Sequence, residues 1–465
     1  MKKLFILFLL LTVACGKADN ASVPPTPSTQ TTAAAQAAQI DKDIVTWLQG
    51  KAVPFDTAEP DENYDDLMPL NNIIGDAQIV ALGEATHGTH EFSAMKHRIF
   101  QFLVKEKGFN AIALEVPWAE AELINRYVRT GEGNPEELLA GLHFWITNTE
   151  ELLAMIEWMR SHNQNPGDAP QVSFYGLDMQ FPAMPMGIVI DYFEQIDPEK
   201  VSLVNELYAC FQPYANYYNN KDTTKAYNDL PGEEKALCGE NLQQVSDILA
   251  NNQETYQASS SASEFAHVSH AAKLVTVAQK YLGQLESKSD FYGAEVRDKF
   301  MADSVSWIME QGDGNTKIAV WAHNGHVANT TKYSTRLGAF LREQYGQDLI
   351  IFGFTFYGGS FNARPDLGIP PTSHQAAQPA KDNLSHYLQS TDIPRFFLDL
   401  RDIEPDAPAT DWLFKPLKFT FIGSVYVEEY GDKYVATIQV PDDYDIIIYF
   451  AETTPTNLLP SVFQE

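Results

Sequence analysis

Apolar residues along this chain fall into two regimes, and the alternation between them predicts the architecture. Gln78-Ile79-Val80-Ala81-Leu82, Asn110-Ala111-Ile112-Ala113-Leu114 and Val172-Ser173-Phe174-Tyr175 are short runs closed by Gly83, Pro117 and Gly176, as expected of buried strands. Between them Phe92, Met95, Ile99, Phe102 and Leu103 repeat at helical spacing over 92–107, and 150–160 is a second helix. From about Pro185 to Gly293 the strand signals vanish, and the stretches 236–249 and 263–285 carry helical periodicity. Runs then resume at Lys317–Trp321, Leu349–Phe354, Arg395–Leu398, Phe419–Tyr426 and Asp445–Phe450. This order predicts an α/β fold with a mostly parallel sheet flanked by helices, interrupted by a helical insertion subdomain. No internal repeat is evident.

The N-terminal residues are read separately. Met1-Lys2-Lys3 is a basic start and Leu4 to Leu11 an apolar run too short to span a bilayer, which reads as a signal peptide. Thr12-Val13-Ala14-Cys15-Gly16 resembles the end of a bacterial lipoprotein signal, with Cys15 the lipidated residue and Thr12 standing where Leu is usual. The alternative is a plain secretory signal cut near Ala14. The expected organisation is therefore 1–15 signal, 16–39 disordered tether rich in Ser, Thr, Pro and Ala, 40–185 first α/β part, 186–293 helical insertion and 294–465 second α/β part. Export to the cell envelope on a lipid tether follows, with no other membrane segment. Cys210 and Cys238 are then candidates for a disulfide, with free buried thiols as the alternative.

Charge narrows the partners. With 32 basic and 62 acidic side chains the formal charge is −30, which argues against nucleic acid or an anionic lipid surface. A small-molecule substrate remains, and oligomeric state is not readable.

Candidate chemistry lies just beyond the strands, where open α/β sheets place ligands. Glu84 and His87 follow the first run, Glu115 the second, and His323 and His326 the run ending at Trp321, while Tyr175, Asp178 and Gln180 cluster at the third. An imidazole held by a carboxylate can take a proton from water near neutral pH. The second His pair could stabilise an oxyanion or protonate the leaving alcohol. The same five residues, Glu84, His87, Glu115, His323 and His326, are alternatively candidate ligands of Zn or Mn. No Gly-x-Ser-x-Gly elbow or phosphate-cradling loop occurs. Taken singly, such residues are more often caps or solvated loop residues. Asp178 in particular reads equally as a helix or turn cap.

Gly83-Glu84-Ala85-Thr86-His87-Gly88, Asn125-Arg126-Tyr127-Val128, Phe174-Tyr175-Gly176-Leu177-Asp178, Arg297-Asp298-x-x-Met301-Ala302 and Trp321-Ala322-His323-Asn324-Gly325-His326 together resemble the erythromycin esterase family. The resemblance extends from about residue 40 to the C-terminus through Phe397-Leu398-Asp399-Leu400-Arg401 and Asp445–Phe450. It implies a hydrolase of carboxylic esters or lactones with an α/β core and added helices. His87 would be the base that activates water, oriented by Glu84, with Glu115, His323 and His326 in the same cleft. Lys96, Arg126, Tyr175 and Asp178 would contact substrate, Lys96 standing where some members place an active-site Arg. No cofactor is required on this reading. A divalent metal used by the same cluster, and a non-catalytic ligand-binding lipoprotein, are the rival expectations.

Overall fold

A computed structural model describes residues 42–463 apart from 62, 219, 286–289, 313 and 367, without the side chains of 290–292 and 432. The signal, Cys15 and the tether lie outside the described residues. Nine strands form one mixed sheet: β1 (Val53–Pro54), β2 (Ile79–Leu82), β3 (Ala111–Pro117), β4 (Ser173–Asp178), β5 (Ile318–Trp321), β6 (Leu349–Ala363), β7 (Thr372–Gln375), β8 (Arg395–Asp399) and, after a separate pair β9 (Leu417–Thr420) and β10 (Val435–Ile438), β11 (Ile446–Thr453). The order is β1-β8-β11-β6-β2-β5-β3-β4, with β7 paired to β6. Every pairing from β11 to β4 is parallel, while β1, β7 and β8 pair antiparallel.

The continuous apolar runs have a direct cause. Val80 and Leu82 enter the core on one face of the sheet and Ile79 and Ala81 the core on the other; Ile112 and Leu114 part from Ala111 and Ala113 in the same way. Because side chains alternate across a strand and both faces are covered, every position must be apolar. Helices supply the cover, including α1 (His90–Lys107), α2 (Trp118–Thr130) and α3 (Glu150–Gln164). Among the described residues no strand lies between β4 and β5. That stretch is helical, built on α4 (Ala183–Ile196), α5 (Gly232–Asn251), α6 (Ala262–Leu282) and α7 (Asp290–Gln311), and it has its own apolar core. Cys210 and Cys238 are joined in a disulfide within it, with Cα atoms 5.6 Å apart. No described helix is long and apolar enough to cross a membrane.

Three expectations change. β4 runs through Gly176 to Asp178, so Asp178 ends a strand and caps neither a helix nor a turn. β6 continues nine residues past Phe354. The run expected over Phe419–Tyr426 leaves its ladder after Thr420 and continues only as isolated bridges at Ile422 and Val425.

Parallel order is what gathers the chemistry. β2, β5, β3 and β4 are adjacent and point the same way, so their carboxyl ends share one edge. The turn after β2 is pinned on several sides: Gly83 N–H donates to the Phe352 carbonyl, Asn324 N–H to that of Glu84 and Ile422 N–H to that of Ala85. Gly83 itself is required, because a Cβ there would lie 2.1 Å from Asn324 Oδ1 and 2.9 Å from the Phe352 carbonyl. Gly83→Ala is therefore expected to lower stability by about 1–3 kcal/mol through overpacking, measured by urea denaturation. A loss under about 0.5 kcal/mol would show that the turn yields freely.

Candidate active site

Two charge clusters meet across one cleft. The first is built on Glu84, 4% exposed. Its Oε1 holds His87 Nδ1 at 2.5 Å, and its Oε2 takes the Trp321 indole N–H at 3.0 Å and the Lys96 ammonium. Burial pushes the Glu84 carboxyl up, but the Lys96 charge and the His87 contact outweigh it and hold the group at about 2. Lys96 is wholly buried, 4.3 Å above the Trp321 ring, and burial lowers its ammonium to about 8 against the pull of Glu84. With Nδ1 engaged, Nε2 is the ring nitrogen that His87 brings to the cleft it lines.

The second cluster gathers around Glu115, placed beside the register shift that breaks the β3–β4 ladder between Leu114 and Pro117. Glu115 Oε1 accepts from Arg297 at 2.7 Å and lies 3.2 Å from His326 Nε2; Oε2 accepts the His323 backbone N–H at 3.0 Å. Arg297 also donates twice to Asp178, at 2.6 and 3.1 Å. Asp298 Oδ1 holds His326 Nδ1 at 2.6 Å, and its Oδ2 accepts from Arg336 at 3.1 Å. Burial disfavours charge on His326, yet Asp298 and Glu115 raise it to about 9, so the ring is an imidazolium donating to both carboxylates. The 3.0 Å approach of Arg297 to His326 Nε2 is then a contact between cations bridged by Glu115, not a hydrogen bond. Three cations face three carboxylates.

His323 behaves differently. Its Nδ1 accepts the Gly325 N–H at 3.1 Å and its Nε2–H donates to the Ile422 carbonyl at 3.2 Å. Burial, followed by the nearby charge of His87, lowers it to about 3, so it stays neutral. Both nitrogens are used within the protein. It offers His87 a ring face at a centroid distance of 5.0 Å and no spare proton. Between the two histidines of the motif, Asn324 is a clamp: its side chain exchanges hydrogen bonds with Phe354 N–H and carbonyl at 3.1 and 2.7 Å.

Glu84, His87, Glu115, Asp178, His323 and His326 are thus brought together, and three other expected substrate contacts are not. Lys96 is sealed behind Glu84, so it meets the carboxylate and no ligand. Arg126 projects from α2 with its side chain 55% exposed and 3.6 Å from Glu132, away from the cleft. Tyr175 packs against the apolar core on one sheet face, below the edge that carries Asp178. Arg297 and Asp298, not among the candidate site residues read from the sequence, complete the site from α7; their signal was the consecutive Arg-Asp pair of Arg297-Asp298-x-x-Met301-Ala302.

Zn or Mn does not fit this donor set. Lys96 and Arg297 place fixed positive charge on the carboxylates a metal would need, and the nitrogens of His323 and His326 are already bonded. No group of three or more His, Cys, Asp or Glu poised for a metal occurs among the described residues.

The raised His326 gives a pH test. A folded-state value above the unfolded one contributes stability fully present below about 6.5 and lost as pH rises through about 9. Thermal melting should therefore fall from pH 6.5 to 9 in the wild type, and His326→Asn should flatten that slope. Parallel slopes would remove His326 from this role.

An open cleft of about 300 Å³ is lined by His87, Glu115, Arg297, His323 and His326, and a narrow one of about 30 Å³ is lined by Glu84, His87, Glu115 and Trp321. A family described as erythromycin esterase matches residues 104–453, a span that holds the second cluster and begins after Glu84 and His87. Erythromycin esterase type II of Escherichia coli is 26% identical over 380 residues, covering 77% of this chain and 89% of that protein. A crystal structure of a Bacillus cereus protein superposes with TM-score 0.79 at 27% identity, over 90% of this chain and 99% of that one. An erythromycin esterase mutant in its open conformation shares the fold at TM-score 0.68 and 17% identity, over 85% and 96%. The match over residues 104–453, three quarters of the chain, shows the family, and the fold shared with solved structures accords with it: this chain belongs to the erythromycin esterase family.

Proposed function

We propose that this chain hydrolyses a carboxylic ester or lactone by direct attack of water, with His87 as the general base. Family membership makes it a hydrolase; ester chemistry and the role of His87 are our reading. The observation that carries it is the Glu84–His87 pair, with Nδ1 held at 2.5 Å by a carboxylate that stays ionised, which leaves Nε2 for the cleft that His87 lines. Glu84 fixes the tautomer, so Nε2 accepts a proton from water while the hydroxide forms its bond to the ester carbonyl carbon. The tetrahedral oxyanion is stabilised by Arg297 and the His326 imidazolium, which line the same cleft. On collapse the C–O bond breaks, and the proton on Nε2 passes to the leaving alkoxide. Acid and alcohol are released and His87 is neutral again.

His323 acts through its neutral ring, limiting how His87 can turn, rather than as a proton donor. A panel of simple esters, lactones and macrolides tests the function. Release of one acid per alcohol from at least one member is expected. Binding without turnover of any member would favour the ligand-binding alternative.

A further inference from the structure

The cleft that the imidazoles line also has an aromatic wall. His143, exposed, Tyr218, half-buried, and Phe144, buried, line the cavity that His87 lines. Phe181 holds the three together: its ring stacks on His143 at 4.8 Å and 24°, meets Tyr218 at 4.8 Å and meets Phe144 at 5.6 Å. His143 keeps φ 62°, a left-handed conformation that a side chain other than glycine rarely adopts. Such strain marks places where the chain is held for a purpose. Gln180, Ser424 and Arg297 line the same cavity and are polar.

We infer that this wall binds a sugar ring, so that the substrate is a carboxylic ester of a sugar hydroxyl. The inference rests on the hydrolase reading above and narrows it. A sugar ring presents C–H hydrogens on its faces and hydroxyls on its edge. The faces meet aromatic rings, whose π-faces are negative, and the edge hydroxyls meet Gln180, Ser424 and Arg297. A wholly apolar ester would leave those polar groups facing carbon, which is costly. Counted without the open solvent at its mouth, the cleft holds about 300 Å³, room for a single sugar ring at the lower end of small-molecule sites, which are roughly 300–1,000 Å³.

The test compares three butyrate esters of primary alcohols: ethyl, benzyl, and the 6-O-butyryl ester of methyl glucoside. The sugar ester should have the highest kcat/KM. Two variants probe the wall. His143→Asn tolerates the left-handed backbone without the ring, and Tyr218→Leu removes the second ring. Each should lower the kcat/KM ratio of sugar ester to ethyl ester by about tenfold, mainly through KM, while Tyr218→Phe, which keeps the ring, restores it. Binding of methyl glucoside to the His87→Ala protein, read by saturation-transfer NMR, is the arm that needs no turnover. Binding that weakens in both variants supports the sugar site even if no butyrate is cleaved. Turnover of all three esters without preference, and no glucoside binding, would overturn the inference while leaving the hydrolase reading intact. A benzyl preference lost in the same variants would overturn it in favour of an aromatic alcohol.

Discussion

His87→Ala is expected to lower kcat by about three orders of magnitude, in the 10²–10⁴ range of a lost general base, with little change in KM. The reason is geometric. His87 Nδ1 is fixed on Glu84, whereas both nitrogens of His323 and of His326 are bonded inside the protein, so neither can take over the proton transfer. Steady-state kinetics on any hydrolysed ester measures it. The fold should persist, because the truncation removes one partner of a carboxylate that keeps Lys96 and Trp321. Circular dichroism and melting of the variant check that the loss is chemical. Within this account Glu84→Gln should lower kcat less, since an amide can still hold the ring but cannot stabilise the imidazolium.

The second large effect is on stability. Lys96→Met should cost about 3–5 kcal/mol, the penalty for leaving one member of a buried ion pair alone. Lys96 and Glu84 are both buried, and Lys96 is the main influence holding the Glu84 carboxyl down against burial. Without it the carboxyl rises, and the pH window of its stabilising contribution moves with it. In the wild type that contribution is fully present above about 4.5 and lost as pH falls through about 2. In the variant the loss begins at higher pH. Combining Lys96→Met with Glu84→Gln should restore much of the lost stability, since no uncompensated charge remains. Chemical denaturation of the four proteins in the cycle decides. A Lys96→Met loss under about 1 kcal/mol would show that Glu84 is well solvated after all.

Much of this was readable in the chain because parallel order converts sequence position into spatial position. Apolar runs covered on both faces marked β2, β3 and β5, and residues just beyond or within their carboxyl ends had to share one edge; Glu84, Glu115 and His323 met for that reason. What was not readable lies on helices. Arg297 and Asp298 sit on α7, the last helix of the helical stretch, where no strand end flags a site, and the packing of α7 against β4 brings them to Glu115 and His326. Lys96 meets Glu84 and not the cleft, in keeping with its place four residues after Phe92 and three before Ile99, inside the buried stripe of α1. Arg126 lies off the buried stripe of α2, which runs through Ala121, Ile124 and Val128. Helical spacing therefore carried the information that motif resemblance obscured.

The central claim, proton transfer through His87 Nε2, is tested most directly by chemical rescue. Truncation to alanine leaves room for a free imidazole beside Glu84, so added imidazole should restore turnover to the His87→Ala protein in a saturable, pH-dependent way. It should restore little to a His87→Ala, Glu84→Gln protein, where nothing orients the added ring. Hydrolysis by His87→Ala at the wild-type rate without imidazole would contradict the account.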